Sequence, residues 1–419
     1  MTATETPAAS LNGVAASTET TPTPGTGHEG QTFLVGDEVY IRPFVKADAA
    51  NGMSWRGTVF PQSTDRIEKW IEEELPKAGQ NQTGHYAVVR KADDVVVGSA
   101  WVSFEAVAGD IGISIDPLYR ETGARWKAEA LRLLAQWLVD EQHRPGMQIA
   151  LAANEDIVIA AAEAFGMRQC VRLREMLLID GQRVDRVWYE YLNKAWMKTL
   201  GDPKDIELPR TGTGEPRPVP PKVTVEGDAP KNAMLVGKRV YLRPEEKADA
   251  KEYAKWARRE TETFFDIGRH LTSSVIQEHW ADEHQEKDPP EWIWFSVCLR
   301  ETDELIGAVG LIDVDYVSLF AETGSFFHRA EYRGAGYGSE AKQLLLEYAF
   351  EVLGLHMVQS WVYFPNTRSA AALRKQGYRE AGRMHWLYSH EGTFDSFVLF
   401  DLLADEWRAM PREEWKPQS

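Results

Sequence analysis

Val35–Ala49 reads VGDEVYIRPFVKADA, and Val236–Ala250 reads VGKRVYLRPEEKADA. Ten of the fifteen positions agree, at an offset of 201 residues. A match this long inside one chain marks an internal repeat, and a repeat governs the architecture before any single element does. The correspondence continues downstream. VVGSAWVSF around Val97 answers LIGAVGLID around Leu305, and Gly166-Met167-Arg168 answers Gly377-Tyr378-Arg379. Gly181, Asp185 and Trp196 answer Gly392, Asp395 and Trp407 at offsets of 211, 210 and 211. Residues 32–200 and 233–419 are therefore expected to be two domains of one fold, each of ordinary domain size.

Between the copies, residues 201–232 are rich in Pro and Gly and poor in large apolar side chains. That composition predicts a semi-rigid extended linker, free to pack along a surface. Residues 1–31 carry Thr, Ala, Pro and Gly without a basic start and apolar core, which predicts a disordered tail and no secretory signal. The net charge of -17 argues against a nucleic-acid backbone as partner and suits a cationic one. No apolar run approaches the length of a membrane span, so the default expectation is cytoplasmic. Cys170 and Cys298 lack metal-ligand spacing and read as buried thiols in a reducing compartment.

Within the second copy, Arg239–Leu242, Ile293–Leu299, Leu305–Asp313, Glu322–His328, Met357–Val362 and Phe397–Asp401 read as strands. Lys247–Arg259, Ser339–Leu353 and Ser369–Gln376 read as helices, the last stopped at Gly377. Strands and helices mixed in this order, with an antiparallel start, indicate an α+β sheet domain.

The segment Tyr332-Arg333-Gly334-Ala335-Gly336-Tyr337-Gly338-Ser339 leads from a strand into an amphipathic helix. Its glycines let the backbone turn sharply and approach a ligand closely. The amides that follow belong to a helix N-terminus, which favours an anion. Arg333 adds a positive charge. In physical terms this is a diphosphate cradle, and its spacing matches neither a Walker loop nor a dinucleotide fingerprint.

R-x-x-G-x-G at Arg333–Gly338, then a helix, a strand, Asn366-Thr-Arg-Ser369 and Gly377-Tyr378, resembles the GNAT acetyltransferases. Gly392-x-x-Asp395 followed by Leu402-Leu403-x-x-Glu406-Trp407 resembles the branch that acetylates ribosomal-protein N-termini. The resemblance covers nearly all of residues 233–408 and, more weakly, 32–197. It implies tandem GNAT folds, each a mixed, largely antiparallel, splayed sheet flanked by helices. It also implies transfer of an acetyl group from acetyl-CoA to a primary amine, on a small molecule or a protein N-terminus, by a monomer or homodimer. By the same resemblance Arg333, Gly334, Ala335, Gly336, Tyr337, Gly338 and Ser339 would hold the pyrophosphate. Phe326 and Phe327 would offer backbone groups to the pantetheine and acyl carbonyl, and Asn366 would contact the cofactor arm, a role compatible with capping the next helix. No metal is implied. A non-catalytic acyl-CoA sensor or scaffold is the alternative.

An amine must be neutral to attack a thioester, and its pKa lies near 8 to 10.4, so a base helps. Glu322 is the first candidate, because it sits on the strand entering the loop and the first copy keeps Asp110 there. Asp395 is the second, answered by Asp185. Many GNAT enzymes use a tyrosine after the Asn as acid. Leu373 stands there, which leaves Ser369 as a substitute. His328, His356, His385 and His390 are scattered, His385 being the one best suited to line a pocket. The first copy's loop, Tyr119–Ala130, is two residues longer and keeps one glycine. Trp126 follows Arg125 where a diphosphate would need space, while Arg120, Arg125 and Lys127 keep the region cationic. This predicts a weakened or altered cofactor site.

Overall fold

The computed structural model describes residues 33–80, 82–104, 106–200, 216–220, 230, 232–258, 272–283, 286–327, 329–390 and 392–413. The expected tail and most of the expected linker lie outside these residues. The first half contributes strands β1 (Leu34–Val35), β2 (Val39–Pro43), β3 (Thr83–Arg90), β4 (Val95–Ser103), β5 (Gly109–Ile115), β6 (Gly146–Ala152), β7 (Arg168–Ile179) and β8 (Gln182–Leu192). The second contributes β9 (Leu235–Val236), β10 (Val240–Pro244), β11 (Ile293–Leu299), β12 (Leu305–Asp315), β13 (Phe320–Phe326), β14 (Met357–Tyr363), β15 (Arg379–His390) and β16 (Thr393–Leu403).

All sixteen join one sheet in the order β1-β2-β3-β4-β5-β6-β8-β7-β15-β16-β14-β13-β12-β11-β10-β9. Read from either end, the order is the same with every label advanced by eight. Every pairing is antiparallel except β5–β6 and β13–β14, which are parallel. Each half buries a helix against its sheet. Leu131, Leu134 and Leu138 of the helix Arg120–Asp140 pack on Val39, Ile41, Val88 and Ile111 in the first. Leu345 and Leu346 of the helix Tyr337–Glu347 pack with Val240, Val309 and Val358 in the second. Each such side chain contributes roughly 1.5–3 kcal/mol on burial. The repeated R-P-x-x-K-A-D segment has a visible reason: Arg42 and Asp48 form a buried bidentate pair, and Arg243 and Asp249 form its twin. Of the linker, Val219 is buried, and its amide donates to Pro411 O at 2.8 Å, so this part lies against the second half.

The halves meet where β7 pairs with β15, at Val171 opposite Gly382. These two positions are 211 residues apart, so the repeat faces itself across a pseudo-twofold axis. Gly382 has φ +141, and a Cβ there would lie 2.1 Å from Cys170 O. Only glycine permits that approach. A mixed apolar cluster seals the seam, with Val171, Leu173 and Met176 against Met384, Leu387 and Leu399.

Two expectations need correction, and one strand was not expected. The helix expected from Lys247 begins as a 3-10 turn, Lys247–Asp249, and is α-helical only over Ala250–Ala257, while Arg259 lies outside the described residues. Arg379–His390 is a full strand that the sequence pattern did not reveal, because its alternation is interrupted by bulges. Cys298 is fully buried as expected, but Cys170 is only half-buried.

Candidate active site

β13 and β14 pair over only three residues, Phe320–Glu322 with Met357–Gln359. Beyond that point Thr323–Phe326 stays with β12 and Ser360–Tyr363 stays with β16. The sheet therefore splits into a V. Polar side chains rivet its apex: Thr323 Oγ1 donates to Gln359 O at 3.1 Å, and Ser360 Oγ donates to Thr323 O at 3.0 Å. The Tyr378 hydroxyl lies 2.8 Å from Thr323 Oγ1. Strand edges that separate like this carry backbone groups able to bind an extended ligand.

A 3-10 turn, Ala330–Tyr332, lies between the end of β13 and the loop Arg333–Gly336. Gly334 (φ +78) and Gly336 (φ +90) take left-handed conformations that favour glycine. The helix Tyr337–Glu347 then begins, and its geometry leaves the amides of Tyr337, Gly338 and Ser339 without a preceding-turn acceptor. Gly338 is small for a second reason. A Cβ there would meet the Phe327 ring at 3.2 Å, and that ring also closes on Gly307. Arg333 Nε donates to Phe327 O at 2.6 Å and ties the loop to the strand end. Arg239 holds it from the other side. Its Nη1 donates to Ala335 O at 2.9 Å, its Nε to Glu340 at 2.9 Å, and its guanidinium stacks 4.6 Å from the Tyr337 ring.

Glu322 stands at the apex of the V. Burial, reinforced by the charge of Asp313, pushes its carboxyl up to about 7, while the Trp361 indole and the Lys342 ammonium oppose the rise. Lys342 is 2% exposed on the loop helix, and burial pushes it down to about 7 against the pull of Glu322. Asp313 accepts from Trp292 Nε1 at 2.9 Å. The site thus joins a glycine-rich loop at a helix N-terminus, a sheet split into separating strands, and a carboxyl group that burial shifts toward neutrality.

The model of the acetyltransferase (GNAT) domain matches residues 239–379. A probable N-acetyltransferase of Bacillus subtilis is 30% identical over 155 residues, which are 36% of this chain and 85% of that protein. The chain belongs to the GNAT acetyltransferase family. An uncharacterised N-acetyltransferase of Bacillus licheniformis is 32% identical over 113 residues, and the match spans 63% of its length and 27% of this chain. Among solved structures, the spermidine N-acetyltransferase of Vibrio cholerae in complex with CoA and spermine is 20% identical, with a TM-score of 0.37 over 41% of this chain and 98% of that one. No helix among the described residues is long and apolar enough to cross a membrane.

In this GNAT chain the expected residues fall into separate groups. Phe326, Phe327 and the loop Arg333 to Ser339 meet at the open end of the V, while Glu322 lies four residues down β13 at its apex, roughly 13 Å from Phe326 at strand spacing. Asn366 caps the helix Thr367–Lys375 by accepting from Ser369 N at 3.1 Å, so Ser369 sits in that helix's first turn. Leu373 is buried core. Asp395 is not brought to Glu322. Glu322, Gln359 and Asp401 share one row across the sheet, and Asp395 lies six residues farther along β16, roughly 20 Å away at strand spacing. It faces Tyr388 and, after burial, helps push that phenol up. Asp185 is not its counterpart. Leu177 pairs with Val184, just as Tyr388 pairs with Asp395, so Val184 holds the equivalent position. The one-residue slip turns Asp185 to the other face, where Arg172 binds it at 2.6 Å. Asp110 does match Glu322: it pairs with Gln148 as Glu322 pairs with Gln359. His356 and His385 bind Glu175 and Glu190, and His328 lies outside the described residues.

The first half's loop is absent as a loop, because the helix Arg120–Asp140 starts at once. Trp126, 4% exposed, fills the space and donates to Glu38 at 2.9 Å. Glu38 stands where Arg239 stands in the repeat, so the clamp has changed sign. The expected cationic character is also offset, since Lys127 pairs with Glu155 at 2.5 Å. At the first half's V, Arg186 occupies the register position of Phe397. Burial pushes the Asp110 carboxyl up to about 6, against the pull of Arg186. Arg239 and Lys342 were missed by sequence reasoning. Their signal was present: each is a cation where the first copy has Glu38 and Leu131.

Proposed function

We propose that the second half transfers an acetyl group from acetyl-CoA to a primary amine, and that the first half is not a second catalyst. The observation that carries this reading is the glycine cradle opening beside a split sheet with Glu322 at its apex. The amides of Tyr337 to Ser339 and the cation of Arg239 suit a pyrophosphate. The strand ends Gly324–Phe326 and Ser360–Tyr363, which no longer pair with each other, suit the pantetheine arm, with Asn366 beside it.

Glu322 is the base in this reading. It takes a proton from the ammonium, directly or through one water. The freed nitrogen forms a bond to the acyl carbon, the carbon–sulfur bond breaks, and the thiolate that leaves takes up the proton shed by the new amide nitrogen. With Leu373 buried, no side chain of the next helix is needed as acid, since a thiolate with a pKa near 8.5 leaves readily. The carboxylates of Asp313 and Glu322 favour a cationic acceptor, whether a small amine or a protein N-terminus. The first half's Trp126, Glu38 and Glu155 oppose a diphosphate.

A Gly336→Val substitution puts a side chain on a left-handed residue, 3.2 Å from the Arg239 guanidinium. Calorimetry with acetyl-CoA should lose its heat in that variant, and thiol release over an amine panel should fall to background. Full turnover in the variant would overturn the cradle. CoA binding with no thiol release from any amine would instead favour the sensor reading.

A further inference from the structure

The seam between the halves carries two clusters related by the pseudo-twofold, and they are not alike. On one side Asp401, fully buried, is bound by Arg379 at 2.5 Å and by Arg174 at 2.7 Å, and Arg174 reaches on to Glu406 at 2.5 Å. On the other side the counterparts are Glu190, Arg168, His385 and Ala195, each 211 residues away. Glu190 is bound by Arg168 at 3.1 Å and by His385 Nδ1 at 2.7 Å, with the His385 amide on its second oxygen at 2.9 Å. An imidazole is shorter than a guanidinium, and Ala195 offers no carboxylate to reach for. Beside His385 on this side lies an open pocket of about 290 Å³, lined by Arg168, Gln169, Cys170, Glu190, Arg383 and His385.

Arg383 gives the cavity its character. Its side chain is 13% exposed and held 5.0 Å from the Phe364 ring, with Glu380 at 3.6 Å from Nε. Its Nη1 is buried with no hydrogen-bond partner among the described residues. A buried donor of a permanent cation is costly unless an acceptor meets it. Arg168 is 53% exposed at the mouth and supplies a second guanidinium. Glu190 is the one carboxylate in the lining, and it is already bound by Arg168 and His385.

We infer that this cavity is a binding site for a small oxyanion, a carboxylate or phosphoryl group, seated between Arg383 and Arg168 where the two halves join. Planar guanidinium forks match the geometry of such groups. The volume is at the small end of ligand sites, which suits a compact molecule. The cavity is formed by β7, β8 and β15, away from the cradle on the loop Arg333–Gly336, so its occupant is separate from acetyl-CoA.

The test uses the full chain without CoA, titrated with inorganic phosphate and, separately, succinate, at constant ionic strength, read by calorimetry and by melting temperature. Saturable binding of either anion is expected, and which one binds tells the phosphoryl from the carboxylate source. Arg383→Gln should weaken it roughly ten- to hundredfold, the loss expected for a charged hydrogen bond. Arg168→Gln, at the exposed mouth, provides a second variant and should also weaken it. Gly336→Val should bind as the wild type does. Absence of saturable binding, equal binding in both arginine variants, or loss of binding in Gly336→Val would each overturn the inference, and the last would return the anion to the cradle.

Discussion

Replacing Glu322 with Gln keeps the size of the side chain and removes its ability to take a proton. The wild-type carboxyl sits at about 7. A base of that pKa is about one-tenth ionised at pH 6 and about nine-tenths at pH 8, so it alone should raise kcat/KM roughly tenfold between those values. The neutral fraction of the acceptor amine adds its own rise, which the variant retains. The difference between the two profiles therefore isolates Glu322. At pH 8 the variant should be slower by about 10²–10⁴, the usual contribution of a general base. Thiol release, followed at saturating acetyl-CoA with limiting amine across pH 5.5 to 9, reads both quantities. A variant whose profile keeps the inflection near 7, or whose rate falls less than about threefold, would refute the assignment of Glu322 as base.

Lys342→Met tests the coupling across the apex. Burial depresses the folded-state pKa of Lys342, so below its unfolded pKa the folded protein must give up a proton, and stability is lost as pH falls toward 7. The variant should therefore be more stable than wild type near pH 7, with a flatter stability profile up to pH 10 in urea titrations. Without the lysine charge the Glu322 inflection should also move above 7. Gly382→Ala tests the seam. A Cβ 2.1 Å from Cys170 O on a residue of φ +141 should cost about 2–6 kcal/mol from strain and overpacking together. A loss below about 1 kcal/mol in chemical denaturation would mean that the strands do not approach so closely.

Much of the fold was legible because the repeat is long and the glycines are informative. The left-handed Gly334 and Gly336 were readable from the loop alone, and the parallel register confirms Asp110 as the partner of Glu322. What escaped depends on pairing between distant segments. The match of Asp185 to Asp395 fails by one residue because each copy has an aspartate shortly after its turn glycine, three residues on at Asp395 and four at Asp185, while the paired strands keep one offset of 211 and their bulges coincide. Arg239 reaches the loop across about a hundred positions, a distance that no local pattern records. Lys342 sits on an apolar helix face, where pattern reasoning assigns a hydrophobe. The seam was invisible, since nothing near Val171 or Gly382 announces that each will meet the other.

Val171 and Gly382 meet at an axis where a self-associating chain would have to set a residue against its own copy. Every substitution there would act twice, and a valine that suits one strand would be forced on both. A single chain that encodes the two sides separately is released from that rule. It can keep bulk on one strand and remove it from the other, and it can place Arg174 in one cluster and His385 in the opposite one. Such an assembly tolerates unequal change at its centre, because each alteration is felt once.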